Sequence, residues 1–145
     1  MSEARKLLFW AAGLSILASV VHGLLVGEHF EEWWAFGVFF MLAATAQGLY
    51  GFAILASHVM NGSPITERWP LRARRAFYVA GIVGNAALVL TYLASRTVGI
   101  LGETEPWDAL GIFTKLVELA VLGLLLTLLA GSRASSSPSA LARPG

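Results

Sequence analysis

The chain has 145 residues, 57% of them hydrophobic and 13% charged, with a mean hydropathy of +0.69. Soluble domains carry about 25% charge, so half that figure with such hydropathy excludes an ordinary soluble domain and points to lipid. A net charge of +1 argues against a nucleic-acid partner, and the lack of cysteine removes disulfides, thiolate metal sites and thiol catalysis.

Four apolar segments follow in chain order, at about 7–26, 33–59, 76–94 and 107–130. Each approaches or exceeds the ~20 residues a helix needs to cross a ~30 Å hydrocarbon core. Lipid offers no partner to backbone amides, so segments of this length read as helices. The expected fold is an all-α, four-helix transmembrane bundle in one domain, residues 1–130. The tail 131–145, "SRASSSPSALARPG" after Gly131, is Ser-, Ala- and Pro-rich without apolar period and reads as disordered.

Arg5 and Lys6 precede the first segment, as in a signal peptide. Its apolar run outlasts the about 7–15 residues of a signal core, and no Ala-x-Ala site follows, so it reads as a retained helix. Ser15, Ser19 and His22 share one face of it. The stretch "VHGLLVGEHFEEWW", 21–34, then puts His22, Glu28, His29, Glu31 and Glu32 ahead of Trp33 and Trp34. It reads as a helix end, an acidic loop turning at Gly27, and interfacial tryptophans opening the second helix.

The second segment carries Gln47 and ends near His58. The loop "SPITERWPLRARR" then supplies Arg68, Arg72, Arg74 and Arg75. In the third segment Tyr78, Gly81, Asn85, Tyr92 and Arg96 recur at helical spacing; in the fourth, Asp108, Lys115 and Glu118 do. Each helix thus has one more polar stripe, expected to face inward, with Ala44, Gly48, Gly81 and Gly84 allowing close backbone approach.

Eight basic residues (Arg5, Lys6, Arg68, Arg72, Arg74, Arg75, Arg133, Arg143) fall on one side of these segments. The opposite loops hold Arg96 and six acids: Glu28, Glu31, Glu32, Glu103, Glu105 and Asp108. The positive-inside rule therefore puts both termini in the cytoplasm of a plasma-membrane protein.

At ~1.5 Å rise per residue His22 lies about 7 Å below the outer end of its helix and Lys115 about 12 Å below Trp107; Glu118, Asn85 and Gln47 come near the bilayer centre. An ionisable group there costs at least ~2.5–3.5 kcal/mol and marks function by default. Lys115 and Glu118, at i and i+3, can pair.

Three functions compete. The first is proton- or cation-linked binding or transport, with a ligand or proton pathway of Lys115, Glu118, Asn85, Gln47, Asp108 and Arg96. The second is a metal-binding or redox accessory protein holding a divalent metal with His22, Glu28 and His29, since imidazole with carboxylate suits zinc, iron, manganese or copper. The third is a structural or regulatory subunit whose polar groups only specify packing. A bis-histidine haem is disfavoured, because His22 and His58 lie at opposite ends. No nucleophile elbow, His-Glu-x-x-His or phosphate loop is present, so an enzyme is not expected. The partners expected are the lipid bilayer and further copies of the chain. If the 21–34 stretch has chemistry, it lies between His22 and the stripe of Asp108, Lys115 and Glu118.

The runs "EHFEEWWAFGVFFMLAATAQ" and "RTVGILGETEPWDALGIFTKLVELAVLGLLL" resemble a family of small multipass integral membrane proteins of bacteria. The resemblance covers about residues 20–128. It implies the four-helix membrane fold, attaches no activity and transfers no site residue.

Overall fold

The computed structural model describes residues 2–61, 65–100 and 103–134. Among them, all regular elements are helical: α1 (Glu3–Glu32), α2 (Trp34–Asn61), a single turn α3 (Ile65–Arg68), α4 (Leu71–Thr97) and α5 (Ala109–Ala134). Four of these helices, α1, α2, α4 and α5, are long and apolar enough to cross a membrane.

Local chemistry explains most boundaries. The Ser2 hydroxyl accepts from the Arg5 amide and caps α1, satisfying one of the donors a first turn leaves orphaned. Pro70 stands directly before α4, where its fixed φ suits helix entry. Helix α4 stops where Gly99 takes φ +84° and its amide returns to Ala94 O. Asp108 caps α5: its Oδ1 accepts from the Gly111 amide.

Two boundaries differ from the sequence reading. Residues 27–32, expected as a loop, continue α1 without a turn at Gly27, and the chain reverses at Trp33 alone, in an extended conformation. The reversal is tight because Gly37 has no side chain: a Cβ there would fall 2.1 Å from the Phe30 ring. A period-based reading places the break at the first cluster of charges, whereas Glu28, Glu31 and Glu32 are good helix formers and simply project from an extra helical stretch. At the other end, α5 runs through Gly131 and Ser132 to Ala134, held where Arg75 Nη2 donates to the Ser132 carbonyl at 2.7 Å. The remainder of the expected tail, 135–145, lies outside the described residues.

Around the bundle the order is α2, α1, α5, α4. Helix α1 packs along α2 and α5, and α4 along α5. Helices α2 and α4 meet mainly through side chains: Gln47 reaches Asn85, and the Tyr50 ring stacks on Phe77 at 4.3 Å. A seam runs between these two helices. Close approach of α1 and α2 rests on small residues, which let helix backbones come near each other. A Cβ at Gly48 would sit 2.8 Å from Ser19 Oγ, one at Gly51 2.6 Å from Ala12 O, and Ser19 donates to Ala44 O at 2.6 Å. Gly81 is pressed against Leu125 and Tyr50. Gly84, expected in the same role, instead faces open space in the seam.

The interior divides along its length. Toward the basic end it is a dry apolar core of Leu8, Ala11, Ala12, Ile54, Tyr78, Val121, Leu125, Leu128 and Leu129. Toward the acidic end it is polar and hollow. The outer faces carry exposed Trp10, Leu24, Leu42, Leu49, Phe52, Val59, Leu90 and Leu116.

Candidate functional site

At the level where the two halves meet, Glu118 of α5 is fully enclosed, 0% exposed. Its carboxylate collects partners from three helices. His22 Nε2 of α1 lies 2.8 Å from Oε1, Gln47 Nε2 of α2 donates to Oε1 at 3.3 Å, and Lys115 Nζ of α5 lies 2.5 Å from Oε2. The fourth helix joins through Asn85: its Oδ1 receives Gln47 Nε2 at 3.5 Å, and its Nδ2 donates to Gly81 O at 2.8 Å. Against an ionised carboxylate, which only accepts, His22 Nε2 is the donor. That leaves His22 Nδ1, in a side chain 4% exposed, without a partner; Gln47 Oε1 and Ser15 Oγ are likewise buried and unpartnered.

The sequence reading put His22 well outside Glu118. The structure brings them to one depth because α1 is longer than its apolar run: ten residues, about 15 Å, separate His22 from the helix end at Glu32. Glu118 lies nine residues, about 13 Å, inside α5.

From Lys115 a chain of contacts climbs to the acidic end. The Lys115 ammonium lies 5.6 Å over the Tyr92 ring, and the Arg96 guanidinium lies 4.7 Å over the same ring. Tyr92 Oη donates to Asp108 Oδ2 at 3.4 Å, Arg96 Nη2 donates to the same oxygen at 2.9 Å, and Arg96 Nη1 pairs with Glu105. Burial alone would raise the Asp108 carboxyl; the Gly111 amide and the Arg96 guanidinium outweigh it and hold the group below the usual carboxylate range. All six residues expected on the pathway therefore fall into two linked clusters, Glu118–Lys115–Gln47–Asn85 within and Arg96–Asp108 above.

A cavity of about 630 Å³ occupies the acidic half. Its floor is His22, Lys115 and Thr114; its walls include His29, Phe36, Phe39, Phe40, Tyr92 and Arg96; Glu28, Glu32, Trp33, Glu105 and Asp108 are at its rim. A second cavity of about 390 Å³ follows the seam past Ser15, Gln47, Asn85 and Gly84, sharing Phe39 and Leu88 with the first.

The trio expected to hold a metal is arranged differently. With Gly27 helical, His22 and His29 stand two turns apart on one face, and Phe40 sits against both, at 5.3 Å from the His22 ring and stacked at 3.7 Å on His29. His29 Nδ1 donates to Leu25 O at 2.8 Å, and Glu28 is exposed. Among the described residues no group of three His, Asp or Glu converges to hold a metal. Pattern reading had no means of assigning Phe40, an ordinary apolar residue of α2, or of giving Tyr92 its place between two cations.

Comparison with family models, with curated proteins and with solved structures finds no match to this chain.

Proposed function

We propose that this chain is a multipass membrane protein, both termini cytoplasmic, that performs proton- or cation-linked binding or transport through its polar interior. The observation that carries this reading is the Glu118 carboxylate: fully enclosed, shared by His22, Gln47 and Lys115, and set directly behind the His22 and Lys115 side chains that line a cavity in the acidic half. Enclosing two opposite charges in a bundle is expensive even when they pair, and hydrophobic residues of similar size would often pack as well. A purely structural bundle has little reason to retain them. Glu118 joins His22 and Lys115, each in contact with one of its carboxylate oxygens, and a proton or cation arriving at the cavity floor changes the charge balance of the group.

The cavity lies in the acidic half, and the Leu8–Leu129 core fills the other. Passage across the bundle therefore requires the seam between α2 and α4, the least tightly packed of its lines, to open toward the basic end.

The test uses the full chain reconstituted in liposomes containing a pH-sensitive dye, with a potassium diffusion potential imposed. Wild type should admit protons faster than protein-free liposomes. Glu118→Gln, which keeps an acceptor for His22 and Gln47, should fall to the protein-free rate while its circular dichroism and elution volume stay unchanged. Wild-type rates equal to those of empty liposomes, with and without a sodium gradient, would sink the reading.

A further inference from the structure

The Lys115 side chain is bound as a ligand would be. Its ammonium lies 2.5 Å from Glu118 Oε2 and 5.6 Å over the face of Tyr92, and it is reached from the large cavity. Carboxylate plus aromatic face is the general recognition set for an organic ammonium. The surroundings ask for more positive charge than the chain supplies. Glu118 and the four acids at the rim face only Lys115 and Arg96, and no cation lies against Glu28 or Glu32 among the described residues. Five carboxylates thus stand against one lysine and one arginine, Glu118 behind the floor and the other four around an aromatic-walled space. A second observation points the same way. His22 Nδ1, buried in the floor of that space and unpartnered, is an acceptor whenever the ring is neutral, so it asks for a donor. Phe39 and Leu88 also line the second cavity, in the seam, whose further lining of Leu42, Ala43, Ala46 and Gly84 suits an apolar chain.

We infer that the cavity takes a primary alkylammonium, its head on Glu118 and its chain in the seam, and that Lys115 is a tethered stand-in that occupies the head site until the ligand displaces it. This inference rests on the reading of Glu118 as a working carboxylate and names the ligand class of that same site. The rim acids Glu28 and Glu32 attract the cation. Displacement of the Lys115 ammonium by the ligand's leaves the net charge at Glu118 unchanged, so exchange avoids burying an unpaired carboxylate.

Calorimetric titration of the detergent-purified full chain with hexylammonium chloride tests it, with hexanoate and hexanol as controls. Hexylammonium should bind and both controls should fail to. Lys115→Met should tighten binding about tenfold, because the internal competitor is gone. The double variant Glu28→Gln with Glu32→Gln alters only exposed positions and so folds; it should weaken binding about threefold at low salt and lose that difference at high salt. Equal binding of hexanoate or hexanol, or a rim double variant that matches wild type at low salt, overturns the assignment. Proton entry without hexylammonium binding removes the ligand class and spares the proposed function. Hexylammonium binding without proton entry removes the coupling and spares the site.

Discussion

Asp108 does two jobs at one position, and they can be separated. One carboxylate oxygen caps α5 through the Gly111 amide and the other receives Arg96 and Tyr92. The side chain is about half exposed, at 47%, so the ion pair is screened and contributes little, and the cap dominates. Asp108→Ala should cost about 1 kcal/mol in thermal stability; Asp108→Asn, itself a good cap, should cost much less at neutral pH. The remaining gap between wild type and Asn has a defined sign. A carboxyl whose folded value is depressed stabilises above its unfolded value of ~3.9 and loses that contribution as pH falls through the folded value. Melting curves from neutral pH downward should therefore converge for the two proteins below the usual carboxylate range. Convergence already at pH 6 would assign the gap to something other than this carboxyl.

The surroundings of Glu118 come from both near and distant parts of the sequence. Lys115, three residues away, and Asp108, ten away, could be put on its side of the helix from spacing alone. His22 is 96 positions distant. No periodicity reports such a contact, which depends on the relative depth of two helices and hence on where α1 ends.

The helices themselves test how the bundle closes. Gly51 and Gly84 are both helical glycines on a face near another helix, and composition does not distinguish them. The structure does: a Cβ at Gly51 would lie 2.6 Å from the Ala12 carbonyl, whereas one at Gly84 would meet nothing within 4 Å. Gly51→Ala should force α1 and α2 apart and cost roughly 1–3 kcal/mol, as overpacking does. Gly84→Ala should be neutral or gain roughly 0.5–1 kcal/mol from helix propensity. Thermal unfolding in detergent, followed by circular dichroism, compares them; a destabilising Gly84→Ala would mean that the seam between α2 and α4 is closed. The same seam shows why small residues alone were a poor guide to contact. Small-residue faces permit close packing, but which pairs use it depends on the order of helices around the bundle, and α2 and α4 are the neighbours in that order that do not pack along each other.

For the molecule as a whole, the proposed membrane topology makes a prediction at each end of the bundle. Charge asymmetry predicts that Glu31 and Trp107, at the acidic end, face outward and that Arg72 faces the cytoplasm. The absence of cysteine makes the test simple. Single cysteines at positions 31 and 72, probed in intact cells with a membrane-impermeant maleimide, should label at 31 and remain protected at 72 until the cells are opened; the reverse pattern would invert the topology and turn the large cavity inward. Hydropathy and segment length were enough to indicate four long apolar helices, because an apolar run of about 20 residues can satisfy all its backbone groups within itself as a helix. The residue types of the polar stripes, and the pairing available to Lys115 with Glu118, were legible for the same local reason: helical geometry is periodic and short-ranged. What only the tertiary structure decided was the continuation of α1 to Glu32, the meeting of His22 with Glu118, the division into a dry half and a hollow half, and the seam between α2 and α4. Each depends on how far one helix slides along another and which neighbours it keeps, and these follow from the packing of side chains far apart in sequence.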